Sequence, residues 1–131
     1  MQRTGSILVI DDDAAFADLV VEILTDEGYV AYSALSGVEA LASITCHTPA
    51  LLLLDLHMPG MSGVELIAQL RRANLATMPV VLITASPCDA APQLVPGAIV
   101  CLPKPFDLDD LLADVAYFVQ PLSDERLLVE R

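Results

Sequence analysis

The side chains of this 131-residue sequence that could carry chemistry stand at the ends of short apolar runs. They are Asp11, Asp12 and Asp13 after Ile7–Ile10, Asp55 after Ala50–Leu54, Thr84 after Val80–Ile83, and Lys104 after Ala98–Leu102. Two carboxylates about 4 Å apart repel each other by about 4 kcal/mol at an effective dielectric constant near 20. Mg²⁺ accepts one or two carboxylates together with waters, and would remove that repulsion. If the fold gathers these residues, they suit a magnesium site with a complementary ammonium group.

Each of these residues also has a purely structural interpretation. The acidic triplet could cap a helix and add favourable charge at its N-terminus, although one cap does not call for three carboxylates. Thr84 alone is an ordinary residue for a strand end. Asp55 directly follows a fully apolar strand, which is unusual for packing, and Lys104 is the only lysine in the chain and stands between two prolines. The combination is therefore more specific than any single member.

The spacing of apolar residues predicts the elements that position these side chains. Apolar residues recur at helical spacing after Asp13, up to a stop at Gly28, and again after a predicted N-cap at Asp107. The two stripes are Phe16, Leu19, Val20, Ile23 and Leu24, and Leu108, Leu111, Leu112, Val115 and Phe118. The tetrapeptide SGVE occurs twice, at Ser36–Glu39 and Ser62–Glu65, and predicts a capping box at the start of two more helices.

Five short apolar strands, including a run at Tyr29–Ala34, alternate with these helices. This pattern predicts an α/β fold: a doubly wound, flavodoxin-like, five-stranded parallel sheet with helices on both faces. In such sheets ligands bind at the carboxyl ends of the strands, where the residues above would converge. Prolines between Pro87 and Pro96 predict that any helix between strands four and five is short or irregular.

Composition limits the classes of partner. The net charge of −12 disfavours nucleic acid and anionic membranes, and we expect no direct nucleic-acid contact by this domain.

The spacing of Cys46, Cys88 and Cys101 indicates neither a disulfide framework nor zinc, so we expect three buried, reduced thiols. With no signal peptide or membrane-spanning run, we expect a soluble cytoplasmic protein with one domain at residues 1–119 and a tail or linker at residues 120–131.

Four segments resemble the receiver domain of response regulators in two-component signalling. They are ILVIDDD at Ile7–Asp13, LLLLDLHMPGMSG at Leu51–Gly63, VLITA at Val81–Ala85 and KPF at Lys104–Phe106. They occur in the family's order across nearly the whole chain. The resemblance implies a phosphorylation-dependent switch that catalyses only its own phosphorylation and dephosphorylation.

Roles for individual residues follow from the resemblance. Asp55 would accept a phosphoryl group from a sensor kinase histidine, and Asp11 and Asp12 would hold Mg²⁺ together with Asp55 and the backbone carbonyl of His57. Asp13 would lie outside the metal site and serve as a cap. The phosphoryl group would be contacted by Thr84, by the backbone of Ala85 and by Lys104, and the peptide bond between Lys104 and Pro105 would be cis.

The resemblance also implies partners. They are a sensor histidine kinase or phosphotransfer protein and an output domain or effector protein, and a homodimer is compatible with the family pattern. Two features depart from that pattern. Cys101 stands where the family usually has an aromatic residue that reports phosphorylation, and the proline-rich stretch Pro87–Pro96 alters the usual output face. His57 and Ser86 flank the site at positions where the family tunes the lifetime of the phosphoryl group.

Two other functions fit part of the sequence. A phosphatase of the haloacid-dehalogenase type would use Asp11 as nucleophile, with Asp13, Thr84, Lys104 and the pair Asp109–Asp110, but would leave Asp55 unexplained. A receiver-like interaction module that does not depend on phosphorylation would have no need of the acidic and basic set. A flavodoxin-like cofactor protein is disfavoured, because no Ser/Thr-rich phosphate loop follows the first strand.

Overall fold

Apolar runs and helical stripes alternate along the chain, and the computed structural model shows the elements they form in residues 5–75, 77–84 and 100–119, the residues that it describes. The strands are β1 (Ser6–Ile10), β2 (Val30–Ala34), β3 (Leu51–Asp55), β4 (Val80–Thr84) and β5 (Val100–Pro103). The helices within these ranges are α1 (Ala14–Asp26), α2 (Gly37–Cys46), α3 (Gly63–Arg72) and α4 (Leu108–Phe118). The predicted irregularity between Pro87 and Pro96 lies outside the described residues.

The five strands form one parallel sheet in the order β2-β1-β3-β4-β5. Because β1 has β2 on one side and β3 on the other, successive connections run in opposite directions from it and place helices on both faces. The predicted doubly wound α/β fold is confirmed.

Alternate residues of the central strands point to opposite faces of the sheet and fill two separate cores. Leu52 and Leu54 of β3 belong to the core that packs against α2 and α3, whereas Leu51 and Leu53 belong to the core under α1 and α4. All five residues of β3 are buried, as expected for a central strand covered on both faces. Asp55 is the last of them, so the sheet carries a carboxylate to the edge of its own core.

Side-chain caps begin three of the helices. The Ser36 and Ser62 hydroxyls accept from the backbone N–H of Glu39 and Glu65 at 3.1 and 3.2 Å, and Asp13 Oδ1 accepts from Phe16 N–H at 3.2 Å. The predicted caps at these three helices are confirmed. At α4 the prediction is only half right: Asp107 occupies the N-cap position, but its side chain makes no capping hydrogen bond.

Some apolar residues of the predicted stripes lie at the surface. Leu108 of α4, which the stripe places on the inner face of its helix, is 44% exposed, so that expectation was wrong; Leu19 of the α1 stripe is 53% exposed. A stripe of apolar residues is wider than the face that the sheet can cover, and its edge residues remain in solvent.

The cysteine expectation was also wrong for two residues. Cys46 ends α2 as an exposed free thiol, and Cys101, half-buried on β5, is disulfide-bonded. Spacing along the sequence cannot reveal such a bond, because two cysteines pair by their distance in space. Among the helices described, none combines the length and hydrophobicity needed to cross a bilayer.

Candidate functional site

The register of the sheet brings the chemically capable residues to one edge. Ile10 of β1 lies beside Leu54 of β3, so the next residues, Asp11 and Asp55, leave neighbouring strands at the same level. Thr84, the last residue of β4, pairs with Pro103 of β5, directly before Lys104. Four neighbouring strands thus deliver two carboxylates, a hydroxyl and an ammonium to the same corner of the domain.

Three carboxylates form a compact cluster at this edge. Asp11, Asp12 and Asp55 each offer one carboxylate oxygen, and these oxygens lie within 4.8 Å of one another. Asp11 and Asp55 are buried, with 2% and 7% of their surface exposed, whereas Asp12 is exposed. The cluster is open to solvent on the Asp12 side, and a cation can approach from there.

Lys104 supplies the positive charge of the site. Its Nζ donates a hydrogen bond to Asp11 Oδ2 at 3.0 Å and lies 3.7 Å from Asp55 Oδ2. Its backbone N–H donates to the carbonyl oxygen of Thr84 at 2.8 Å, which ties the β5 end to the β4 end. The peptide bond between Lys104 and Pro105 is cis, as the resemblance predicted. The cluster of three carboxylates thus has one ammonium, in contact with two of them, and a local excess of negative charge remains.

Opposing influences act on the pKa of Asp55. Burial is the largest and raises the pKa of Asp55 above its usual value. The backbone N–H of His57, which donates to Asp55 Oδ1 at 3.1 Å, and the charge of Lys104 lower this pKa, and the charges of Asp11 and Asp12 raise it. The net direction is upward, so the folded domain holds the ionised Asp55 at a cost. A ligand that brings positive charge to the cluster would remove part of that cost.

The start of α3 lies directly against the residue that follows β3. The Gly63 N–H donates to the carbonyl oxygen of Leu56 at 3.1 Å, and a Cβ atom at Gly63 would lie only 2.9 Å from the carbonyl oxygen of Asp55. Only glycine permits this approach without a shift of backbone. The second SGVE tetrapeptide therefore fixes the backbone around Asp55 as well as starting a helix.

Comparison with known proteins identifies the family. The family model described as "Response regulator receiver domain" matches residues 7–116. The chain belongs to the response-regulator receiver family. The receiver domain is 38% identical over 128 residues to the DNA-binding transcriptional regulator NtrC of Salmonella typhimurium, covering 96% of this chain and 27% of that protein. It is 40% identical over 109 residues to the response regulator MprA of Mycobacterium ulcerans, covering 82% of this chain and 47% of that protein. The chain thus spans about a quarter of NtrC and about half of MprA.

Solved structures agree with this assignment. The response regulator TrrA of Thermotoga maritima, solved in complex with Mg²⁺ and BeF, superposes with a TM-score of 0.76 at 31% identity, covering 87% of this chain and 98% of that one. The chemotaxis protein CheY4 of Vibrio cholerae superposes with a TM-score of 0.79 at 26% identity, covering 89% of this chain and all of that one. The chain is thus a signalling domain of the kind that acts as a phosphorylation-dependent switch, and its acidic cluster is of the kind at which receiver domains bind Mg²⁺.

The structure places most of the predicted site residues together. Asp11, Asp12, Asp55 and Lys104 share the cluster, and Thr84 lies fully buried at the adjacent strand end. The roles assigned to these residues remain predictions. Ala85 lies outside the described residues, and the contribution of the His57 carbonyl to a metal site also remains a prediction.

The haloacid-dehalogenase alternative loses its structural basis. Asp109 and Asp110 lie exposed in the first turn of α4, and Asp13 is a helix cap outside the carboxylate cluster.

The nearby phenyl ring of Phe16, in contrast, was missed as a site residue, because the helical stripe accounted for it as core. Its position just after the acidic triplet, at the start of a helix that leaves the site, was the available signal.

Proposed function

We propose that Asp55 of this receiver domain accepts a phosphoryl group from the histidine of a sensor kinase or phosphotransfer protein, and that the phosphorylated state controls an output domain or effector protein. The observation that carries the proposal is the buried Asp55 carboxylate, which lies among Asp11 and Asp12 and 3.7 Å from the Lys104 ammonium. Phosphoryl transfer requires alignment and neutralisation of charge more than covalent chemistry, and this site supplies both.

In the transfer step an oxygen of Asp55 bonds to the phosphorus, and the bond from phosphorus to the donor histidine nitrogen breaks. The electron pair of that bond stays on the imidazole nitrogen, and the product on Asp55 is an acyl phosphate. It carries about −1.5 to −2 charges where the carboxylate carried −1. The added charge attracts Lys104 and the Thr84 hydroxyl, and these new contacts distinguish the phosphorylated state. A shift of the switch from 1:99 to 99:1 requires that they total about 5.5 kcal/mol.

The residues fit a magnesium ion. Asp11, Asp12 and Asp55 would hold it, and their oxygen donors are the kind that Mg²⁺ prefers. The single nearby ammonium leaves negative charge for a divalent cation to neutralise. When bound, Mg²⁺ would supply positive charge to the oxygens of the transferring phosphoryl group.

An apolar groove beside the site supports a protein as phosphoryl donor. It has a volume of about 600 Å³, lies between α1 and the start of α4, and includes Lys104 in its lining. Leu19 and Leu108, both exposed, contribute to its wall. A donor protein that brings its histidine to Asp55 must approach across this edge, and we propose that its contact surface covers the groove.

The longer relatives support the proposed output. NtrC and MprA each continue well beyond the length of this chain, which supports an output domain or separate effector as the partner of the switched state. The net charge of −12 supports an output in which this domain does not itself contact DNA. Cys101, disulfide-bonded on β5, cannot serve as a rotating aromatic reporter, and the readout must use other groups.

The test compares wild type with Asp55→Asn after incubation with acetyl phosphate and Mg²⁺. Phosphate-affinity electrophoresis should show a shifted band for wild type and none for Asp55→Asn, and peptide mass spectrometry should place the phosphoryl group on Asp55. Asp109→Asn, which removes an exposed carboxylate of α4, is the matched control and should behave as wild type.

Other results would contradict the proposal in different ways. Phosphate trapped on Asp11, with loss of activity in Asp109→Asn, would favour the haloacid-dehalogenase chemistry. Equal behaviour of wild type and Asp55→Asn towards both acetyl phosphate and beryllofluoride would favour an interaction module that works without phosphorylation.

A further inference from the structure

The Lys104 ammonium has an aromatic neighbour as well as two acidic ones. Its Nζ lies 4.6 Å from the centroid of the Phe16 ring. The same ammonium lies 3.0 Å from Asp11 Oδ2 and 3.7 Å from Asp55 Oδ2. The face of a phenyl ring carries partial negative charge and attracts a cation at this distance. The ring thus forms a third wall of the space that the ammonium occupies.

The Phe16 ring is itself held in place. The ring of Phe106 meets it edge-on, with centroids 6.0 Å apart and an angle of 84° between the ring planes. The backbone of Phe16 is fixed by the Asp13 cap, which accepts its N–H at 3.2 Å. Both rings are half-buried and pack against the core under α1 and α4. The ring face is therefore a built feature of this edge of the sheet.

The Lys104 side chain requires a contact that keeps its ammonium at the site. Its side chain is 27% exposed and has four rotatable bonds, so an unconstrained ammonium would spend much of its time in solvent. When Asp55 is phosphorylated, the ammonium must move from Asp11 towards the phosphoryl group. A π face tolerates that small movement, because cation–π attraction is not tied to one bond direction as a hydrogen bond is.

We propose that Phe16 is a positioning residue for the phosphoryl chemistry: its ring face holds the Lys104 ammonium beside Asp55 and raises the affinity of the site for a phosphoryl group. The proposal rests on the proposed function, in which Lys104 pairs with that group. It predicts that the negative charge on the face of the ring, and not only the volume of the ring, sets the affinity of the site for a phosphoryl group.

The experiment uses beryllofluoride with Mg²⁺ as a mimic of the phosphoryl group, with the bound fluoride measured by ¹⁹F NMR. Fluorinated phenylalanines with one, two and five fluorines are placed at position 16 by site-specific incorporation, because fluorination weakens the negative face while nearly preserving the ring's shape. We expect the affinity to fall stepwise with fluorination, reaching roughly 2- to 5-fold below wild type, the fold-change that corresponds to loss of one cation–π contact.

Matched variants separate positioning from packing. Pentafluorophenylalanine at Phe118, a buried ring at the end of α4 that packs against Tyr117, should leave the affinity unchanged. Phe16→Leu should weaken binding like the fully fluorinated ring, and Phe16→Tyr should restore it to within about twofold of wild type. In a Lys104→Ala background, fluorination at position 16 should have no further effect.

The possible results are distinct. Two results would overturn the role of Phe16 and leave the proposed function intact. One is equal beryllofluoride affinity across the fluorinated series. The other is an equal loss of affinity on fluorination whether Lys104 is present or replaced by alanine. If wild type itself does not bind beryllofluoride, the proposed function fails, and the role of Phe16 fails with it. Circular dichroism at 222 nm confirms that each variant has the wild-type helix content.

Discussion

Replacement of Asp55 by Asn should stabilise the magnesium-free domain at pH 7, although Asp55 is the residue on which the proposed function depends. Carboxylate oxygens of Asp55 and Asp11 lie within 4.8 Å of each other, so at an effective dielectric constant of 20 their repulsion is at least about 3.5 kcal/mol. The attraction between Asp55 and Lys104 at 3.7 Å is about 4.5 kcal/mol on the same scale. These terms nearly cancel, and burial of the charge together with repulsion from Asp12 remains.

The remaining terms destabilise the fold, as the raised pKa of Asp55 indicates. Asp12 is exposed and screened, so we expect Asp55→Asn to raise the free energy of unfolding by about 1 kcal/mol, which corresponds to roughly 4 °C in Tm for a domain of this size. The Asn side chain keeps an oxygen that can accept from the His57 N–H, so the substitution removes charge without removing this hydrogen bond.

The pH dependence of stability tests the same sign by a second measurement. Because the pKa of Asp55 is raised in the folded chain, the unfolded chain loses this proton first as pH rises. Below the ordinary aspartate pKa of about 3.9 both states are protonated and the stabilities of wild type and variant should converge. Between that value and the raised one wild type loses stability, and above it the full difference is present. The pKa of Asp114 is also raised, by burial and by Asp110, but Asp114 is present in both proteins and cancels in their difference.

Urea denaturation followed at 222 nm, in EDTA and from pH 3 to pH 8, measures this difference. Mg²⁺ should then reverse the ranking, because wild type gains about 2.7 kcal/mol at a concentration 100-fold above its Kd, while Asp55→Asn has lost one of the three carboxylates. The exposed control Asp109→Asn should stay within about 0.5 kcal/mol of wild type in both conditions. A variant less stable than wild type in EDTA at pH 7, or a difference that grows as pH falls, would refute the electrostatic account of the site.

Two further predictions concern the close contact between the start of α3 and the backbone of Asp55, and the apolar groove between α1 and α4. Gly63→Ala should destabilise the fold by about 1–3 kcal/mol, because its Cβ would lie 2.9 Å from the backbone oxygen of Asp55. Gly37→Ala, in the same tetrapeptide, should cost less by urea denaturation, because its Cβ meets the Met61 side chain, which can rotate; equal costs would contradict this. Leu19→Asp should slow phosphorylation by histidine-phosphorylated donor proteins at least tenfold, because the charge lies in the wall of the groove. Phosphorylation by acetyl phosphate should keep its wild-type rate, and phosphate-affinity electrophoresis measures both rates. Val38→Asp, at a residue 67% exposed on α2, is its control, and equal slowing in both variants would argue against the groove.

The sequence predicts the elements well because their signals are local. A serine three residues before a glutamate suffices to start α2 and α3, and the apolar run Leu51–Leu54 suffices to predict a strand buried on both faces. One failure concerns a contact between separate segments: the disulfide at Cys101 depends on where another part of the chain lies, and no local pattern specifies that. Nothing in the structure explains the missing side-chain cap at Asp107.

The site shows the same division. Its carboxylates and lysine are predictable because the carboxyl ends of parallel strands must converge, so a residue's place in the strand order is enough to put Asp11 beside Asp55. The Phe16 ring is not predictable in this way, because whether a helical residue packs under the sheet or turns towards the site depends on how α1 packs against the rest of the fold. Leu19, three residues further along the same stripe, ends in solvent for the same reason.

The sheet holds three of the acidic residues of this apolar domain close together. The strands are held together by apolar cores on both faces, and these cores keep Asp11 and Asp55 at one level despite their repulsion. The unliganded domain therefore already stores unfavourable electrostatic energy at the strand ends. Under the proposed function, cation binding would relieve it, and phosphorylation of Asp55 would restore and enlarge the negative charge beside Lys104. The Lys104 ammonium would then be attracted towards the phosphoryl group, because the sheet holds Asp11 and Asp55 at one level and keeps the added charge there.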